Sequence, residues 1–75
     1  MPNDIRVYLN ERGLSLAPGA TARDAVRSGA PELLPDCEAG QATITDARAL
    51  PVALDDVLSG GAILRVQRSA RRAGG

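Results

Sequence analysis

An α+β fold, with a mixed sheet of four to five strands and one helix packed on one face, is predicted by three features of the chain. Apolar residues alternate over Ile5-Val7-Leu9, over Leu14-Leu16 and over Leu64-Val66, the period of half-buried strands. One segment, from Thr21 to Ser28, carries a helix start and a helix-spaced apolar face. Hairpin, helix and further strands follow in that order, which places the helix over the apolar side of a single sheet.

The elements follow in chain order. Asp4 to Leu9 is a strand. Asn10-Glu11-Arg12-Gly13 is a turn in which Gly13 is expected to supply positive φ, and Leu14-Ser15-Leu16 returns as the second arm of a hairpin. Pro18-Gly19 breaks this strand. Thr21, with Asp24 three residues on, resembles a capping box with Asp in the usual Glu or Gln position. A helix over 22–28 would put Ala22, Ala25 and Val26 on one face and leave Arg23 and Arg27 to water. Gly29 and Pro31 stop it. Leu33-Leu34 packs under the helix end, and Pro35 closes that stretch.

Gln41 to Thr45 alternates again, with Ala42 and Ile44 on one face. Asp46-Ala47-Arg48 is a turn. Ala49 to Val52 is expected as a short strand, which Pro51 confines to the sheet edge. Asp55 to Leu58 reads as one helical turn with Asp55 as N-cap, ended by Gly60-Gly61. Ala62 to Gln67 is the last strand, with Leu64 and Val66 inward, and is expected to lie centrally beside the first. Residues 1–68 thus form one domain, and 69–75 are expected to be a flexible tail ending in Gly-Gly.

Composition narrows the chemistry. The chain has 75 residues, one cysteine and no histidine. No internal disulfide can form, and the usual neutral-pH acid/base and commonest metal ligand are missing. No metal site and no constellation of nucleophile and base is expected, so the chain does not read as an enzyme. Phe and Trp are absent and Tyr8 is the only aromatic. The core is therefore aliphatic: Ile5, Val7, Leu9, Leu14, Leu16, Val26, Ile44, Leu50, Leu54, Leu58, Leu64 and Val66. Net charge is zero, which gives no nucleic-acid footprint. No membrane span or signal peptide is read, and the expected location is cytoplasmic. All 9 basic residues are arginine. Arg-favouring codon usage explains this simply. A lysine-free chain also offers no ε-amine to attack its own activated C-terminus. That significance would vanish if an introduced surface lysine gave no self-linked product under activating conditions.

The sequence closes on Arg71-Arg72-Ala73-Gly74-Gly75. Glycine lacks a Cβ, so Gly74-Gly75 can thread a crevice too narrow for other residues, and the terminal carboxylate is an acyl group that an enzyme can activate. Pro18-Gly19-Ala20-Thr21 before Asp24-Ala25-Val26 looks like the Gly, small, Thr, helix junction of bacterial sulfur carriers. Leu58-Ser59-Gly60-Gly61-Ala62-Ile63 looks like their late segment, with Gly61 where Asp is usual. With the terminal Gly-Gly and the element order, the chain resembles the β-grasp (ubiquitin-like) superfamily, which includes ubiquitin and the sulfur carriers of thiamin and molybdopterin synthesis.

That resemblance implies a chemistry. A ubiquitin-activating-type adenylating enzyme would use ATP and magnesium to adenylate the Gly75 carboxylate, with neither bound by this chain. Attack by a sulfur donor would then give a thiocarboxylate, which a sulfur-acceptor enzyme would use. Attack by an enzyme cysteine would give a thioester, leading to conjugation to target amines. The sulfur carrier is the leading expectation and the protein modifier its alternative. A plain interaction module with an accidental Gly-Gly is a third. Gly75 is the acyl group; Gly74 and Ala73 thread the partner's crevice. Arg71 and Arg72 are candidate steering charges. Tyr8 and Arg65, with Arg6 and Ile63, are expected on the sheet face away from the helix, which docks onto partners in β-grasp relatives. Cys37 reads as an inert thiol, and the Asp55-Asp56 pair as a cap.

Overall fold

The computed structural model describes residues 4–68 and is a small α+β domain. Its 4-stranded mixed sheet has the order β2-β1-β4-β3. Strand β1 is Ile5–Leu9, β2 is Arg12–Leu16, β3 is Ala42–Thr45 and β4 is Ile63–Arg68. β1 runs antiparallel to β2 and parallel to β4, and β3 is antiparallel to β4. The last strand therefore lies in the interior of the sheet, beside the first. Two short helices, α1 (Ala22–Gly29) and α2 (Leu34–Glu38), complete the domain, with a 3₁₀ turn at Pro31–Leu33 between them. No helix among the described residues is long and apolar enough to cross a membrane.

The hairpin is tighter than the sequence suggested. Leu9 pairs with Arg12, so the loop is Asn10-Glu11 alone, with φ of 50° and 71°. A two-residue loop whose central residues both have positive φ matches the right-handed twist of its strands. Asn10 suits that conformation and Glu11 tolerates it. Gly13 is not the turn residue. It lies in β2, where an added Cβ would come 2.9 Å from Arg6 Nη1.

Helix α1 opens with the full capping box. The Asp24 amide donates to Thr21 Oγ1 at 3.4 Å, and the Thr21 amide donates to Asp24 Oδ2 at 3.0 Å. Ala22, Ala25 and Val26 are buried on the sheet side. The Ala30 amide closes the last turn by donating to Val26 O at 2.8 Å, and Pro31 cannot continue the helix. Gly29 is needed for space rather than as a left-handed stop. A Cβ there would sit 2.9 Å from Leu9 Cδ2 and 3.0 Å from Leu14 Cδ1. Arg23 is not simply solvated. It bridges Asp55 at 2.7 Å and Glu38 at 3.6 Å, tying α1 to α2 and to the loop before β4. Arg27 is exposed, as expected.

Three further expectations are corrected. Pro35 does not end the stretch after α1; it lies in the first turn of α2, where its missing N–H would be unpaired in any case. Residues 49–52 form no strand. Pro51 makes a single bridge to Thr45, and the Val52 amide donates to Ile44 O. Pro51 has no N–H to give, Ala49 has φ of 65°, and Leu50 is 51% exposed and outside the core. Asp55 caps no helical turn. Asp56 Oδ2 instead accepts the Ala53 amide, and Val57 bridges to Thr21.

The core is aliphatic, as composition requires. Val7, Leu9, Ile44, Leu58, Leu64 and Val66 meet the buried face of α1, and Ile5, Leu14, Leu16, Leu33, Leu34 and Leu54 pack at its margin. Two carboxylates hold turns around it. The Thr21 backbone N–H chiefly, then its hydroxyl, keeps Asp24 below the usual aspartate range. The Leu50 and Arg48 amides do the same for Asp46, at 3.0 and 2.8 Å. With the folded-state pKa depressed, the unfolded chain takes up more protons in that interval. This stability is present above the ordinary aspartate range and is lost as pH falls through the depressed values. The melting temperature should therefore fall steeply only in acid. Asp46→Asn should flatten part of that slope, which a melting series against pH checks.

Candidate functional site

The expected tail, 69–75, follows β4 in the chain, and β4 finishes at Arg68. β4 is held on both sides. On one, Ala42 to Thr45 of β3 pair with Arg68 to Arg65. On the other, β1 pairs only as far as Leu9↔Leu64, and Asn10 extends the contact. Its backbone N–H donates to Leu64 O at 3.0 Å, and its side-chain Oδ1 accepts the Val66 amide at 3.0 Å. Its Nδ2 reaches Val66 O at 3.4 Å. One turn residue thus stands in for two further residues of strand. At the far end Arg68 Nε donates to Asp36 Oδ2 at 2.7 Å, joining the last residue of β4 to α2. An exposed pair of this kind adds little stability.

The residues expected to carry the chemistry, Gly75, Gly74, Ala73, Arg71 and Arg72, lie outside the described residues, as does the expected tail 69–75. The other expected contacts come together on the face of the sheet away from α1. Tyr8 and Ile63 are register partners across β1 and β4 and are 38% and 52% exposed. Arg65 is two residues along from Ile63 on the same face. Arg6 flanks the pair on the other side. Arg6 Nη1 and Tyr8 Cε2 would lie 2.9 and 3.5 Å from a Cβ at Gly13, so the missing side chain makes room for both. A depression of about 450 Å³ adjoins the pair, lined by Glu11, Thr45, Ala49, Ile63, Arg65 and Gln67. Arg23, Arg27 and Arg68 are in ion pairs; among the described residues Arg6 and Arg65 are not.

Other candidates carry no chemistry. Cys37 is half-buried, and its thiol is pushed up by burial and then by the charges of Asp36 and Glu38. A nucleophilic thiol needs the reverse surroundings. Asp55 and Asp56 do not act as a pair: one holds Arg23 and the other caps Ala53. No group of three His, Cys, Asp or Glu could hold a metal among the described residues. Sequence reasoning missed Asn10 and Asp36. An Asn in a turn does signal positive φ, but its long-range partner, 56 residues away, leaves no local trace.

Comparison with models of known protein families gives no match, and comparison with curated proteins gives none. The sheet order, the interior last strand and the chemistry of named residues are what bear on function.

Proposed function

We propose that this is a β-grasp carrier protein whose Gly75 carboxylate is activated by a partner enzyme, with a C-terminal thiocarboxylate as the working form. The observation that carries the reading is the placement of β4. It lies between β1 and β3 and parallel to β1, the arrangement that the resemblance implies, and it delivers residues 69–75 from a strand braced on both sides. A rigid root helps because the carboxylate has to be presented to an active site that belongs to another protein.

The chemistry is acyl transfer. The Gly75 carboxylate oxygen attacks the α-phosphorus of ATP and pyrophosphate leaves. Hydrosulfide from a sulfur donor then attacks the acyl carbon, AMP leaves with the bonding pair and the sulfur gives up its proton, giving the thiocarboxylate. ATP and magnesium act in the partner's site. This chain supplies the acyl group, and Gly74 and Ala73 pass where bulkier residues would not. The outer face of Tyr8, Ile63, Arg6 and Arg65 is the docking surface in this reading. The absence of lysine and the arginines of the tail also suit a protein modifier, in which Gly75 becomes linked to target amines.

Intact mass spectrometry of the protein recovered from its host, beside an immunoblot of whole lysate, tests the proposal. One oxygen replaced by sulfur at a Gly75 terminus is the expected result. An unmodified monomer with a ladder of larger species, lost when Gly75 is deleted, would make it a modifier. A mature chain without a free Gly75 carboxylate in any form would overturn both. Arg71→Glu should slow activation at low ionic strength, with the effect fading as salt is added. Equal rates at low salt would show that Arg71 does not steer the tail.

A further inference from the structure

The sheet has two outer strands, β2 and β3, and their open sides differ. The outer side of β3 is partly covered. The Val52 amide donates to Ile44 O at 2.8 Å and the Asp46 amide to Leu50 O at 2.9 Å. Between them Pro51, which has no N–H to offer, bridges to Thr45. Nothing among the described residues covers β2 in this way.

The hydrogen-bond parity of β1 shows what the outer side of β2 offers. The Tyr8 amide donates to Ala62 O, and Arg6 O accepts the Gly61 amide, so the backbone groups of Arg6 and Tyr8 face β4. Their register partners across the hairpin are Ser15 and Gly13. In an antiparallel ladder such pairs turn their N–H and C=O groups away from each other. Gly13 and Ser15 therefore each point a donor and an acceptor outward, and these find no backbone partner among the described residues.

The side chains leave that edge unguarded. Gly13 and Ser15 are small and exposed, and Leu14 and Leu16 are half-buried at the margin of the core. No proline and no charge lies between Arg12 and Ala17. Edges that stay single are blunted by such residues, by bulges or by a covering segment.

This edge is its own complement under a two-fold axis. With Leu14 set antiparallel to Leu14 of a second copy, Gly13 of each copy falls opposite Ser15 of the other, and every outward donor meets an outward acceptor. Centring the axis on Ser15 instead would draw in Ala17, whose C=O already accepts the Ala20 amide. The two half-buried Leu14 side chains meet at the axis. Arg12 falls opposite Leu16, so no like charges oppose each other along the strand pair. Net charge is zero, which does not hold two copies apart.

We propose that two copies of this chain join through β2, antiparallel, into one continuous sheet. A single pair of 5-residue strands buries less than the roughly 1,200–2,000 Å² of a stable interface, so the dimer is weak and fills only in concentrated solution. β1 separates β2 from β4, and the two-fold axis points the two β4 ends in opposite directions. Pairing therefore leaves each β4 end clear of the join, and the inference does not depend on the chemistry at Gly75.

Sedimentation equilibrium of the whole chain from micromolar to millimolar concentration, with amide exchange followed by NMR over the same range, tests this. The expected result is a mean mass rising from 7.8 kDa towards twice that value. Exchange should slow with concentration at Gly13 and Ser15, and not at Ala42 on the opposite edge. Ser15→Pro removes an outward N–H, a change that an edge strand tolerates. It should weaken the dimer about tenfold or more, because each dimer loses two main-chain hydrogen bonds. The unaltered chain is enough to overturn the proposal, by a mass that stays at the monomer value throughout or by exchange that slows elsewhere than at Gly13 and Ser15. A dimer that Ser15→Pro leaves as tight as before would overturn it too.

Discussion

Leu64→Ala should remove a large share of the domain's stability, about 2–5 kcal/mol for a buried leucine cut to alanine. Leu64 is 3% exposed on the interior strand β4, in one cluster with Val7, Leu9 and the buried face of α1. The cost should lie towards the upper end because the surroundings have little with which to fill the void. The chain has no Phe or Trp, and Val7, Val26, Ile44 and Val66 make up much of the buried cluster around it. β-branched residues are stiff at χ1 and do not swing into new space. At about 0.05–0.15 kcal/mol per residue, a chain of this length has only about 4–11 kcal/mol in all. Urea unfolding of Leu64→Ala beside Ile63→Ala checks this. The neighbouring side chain points to the other face and is 52% exposed, so its loss should be felt far less. Equal shifts of the two midpoints would contradict the assignment of inner and outer faces.

Much of this architecture was legible in the sequence because it is written in short-range patterns. Alternation at Ile5-Val7-Leu9 and Leu64-Val66 set the inner face of the sheet, since a strand has no other way to bury every second residue. Thr21 and Asp24 are three residues apart and can only cap a helix that starts between them. What failed had a common cause: a residue type was given its commonest local role when a distant neighbour had decided its use. Gly29 reads as a helix stop, yet its use is to leave room for the side chains of Leu9 and Leu14. Gly13 reads as the turn residue, yet it makes room for Arg6 while Asn10 and Glu11 turn the chain.

For proline the position within the element decides. Pro35 breaks a helix only from its interior, and at the first turn it is compatible with one. Pro51 was correctly confined to an edge, but so little ladder remains there that no strand forms. The outer face of Tyr8, Arg6, Ile63 and Arg65 followed from the alternation.

Deleting Gly75 should abolish activation while leaving the fold intact, the largest functional effect expected of any single change. The proposed reaction needs a carboxylate oxygen within about 3–3.5 Å of phosphorus, and a misplacement of 1 Å can cost about a hundredfold. Removing one residue shortens the reach of the chain by about 3.3–3.6 Å and leaves Gly74 as the acyl residue, with Ala73 and Arg72 drawn into positions proposed for Gly74 and Ala73. β4 ends at Arg68, where it is paired with Ala42 and bonded to Asp36. The root is therefore unlike a free linker that could simply slide forward. ATP–pyrophosphate exchange with the host's adenylating enzyme, comparing the intact chain and the deletion, reads this step before any sulfur or target is involved. Unchanged melting of the deletion variant would show that the loss is chemical and not a failure to fold. Exchange at the same rate without Gly75 would make the Gly-Gly incidental and leave an interaction module as the reading.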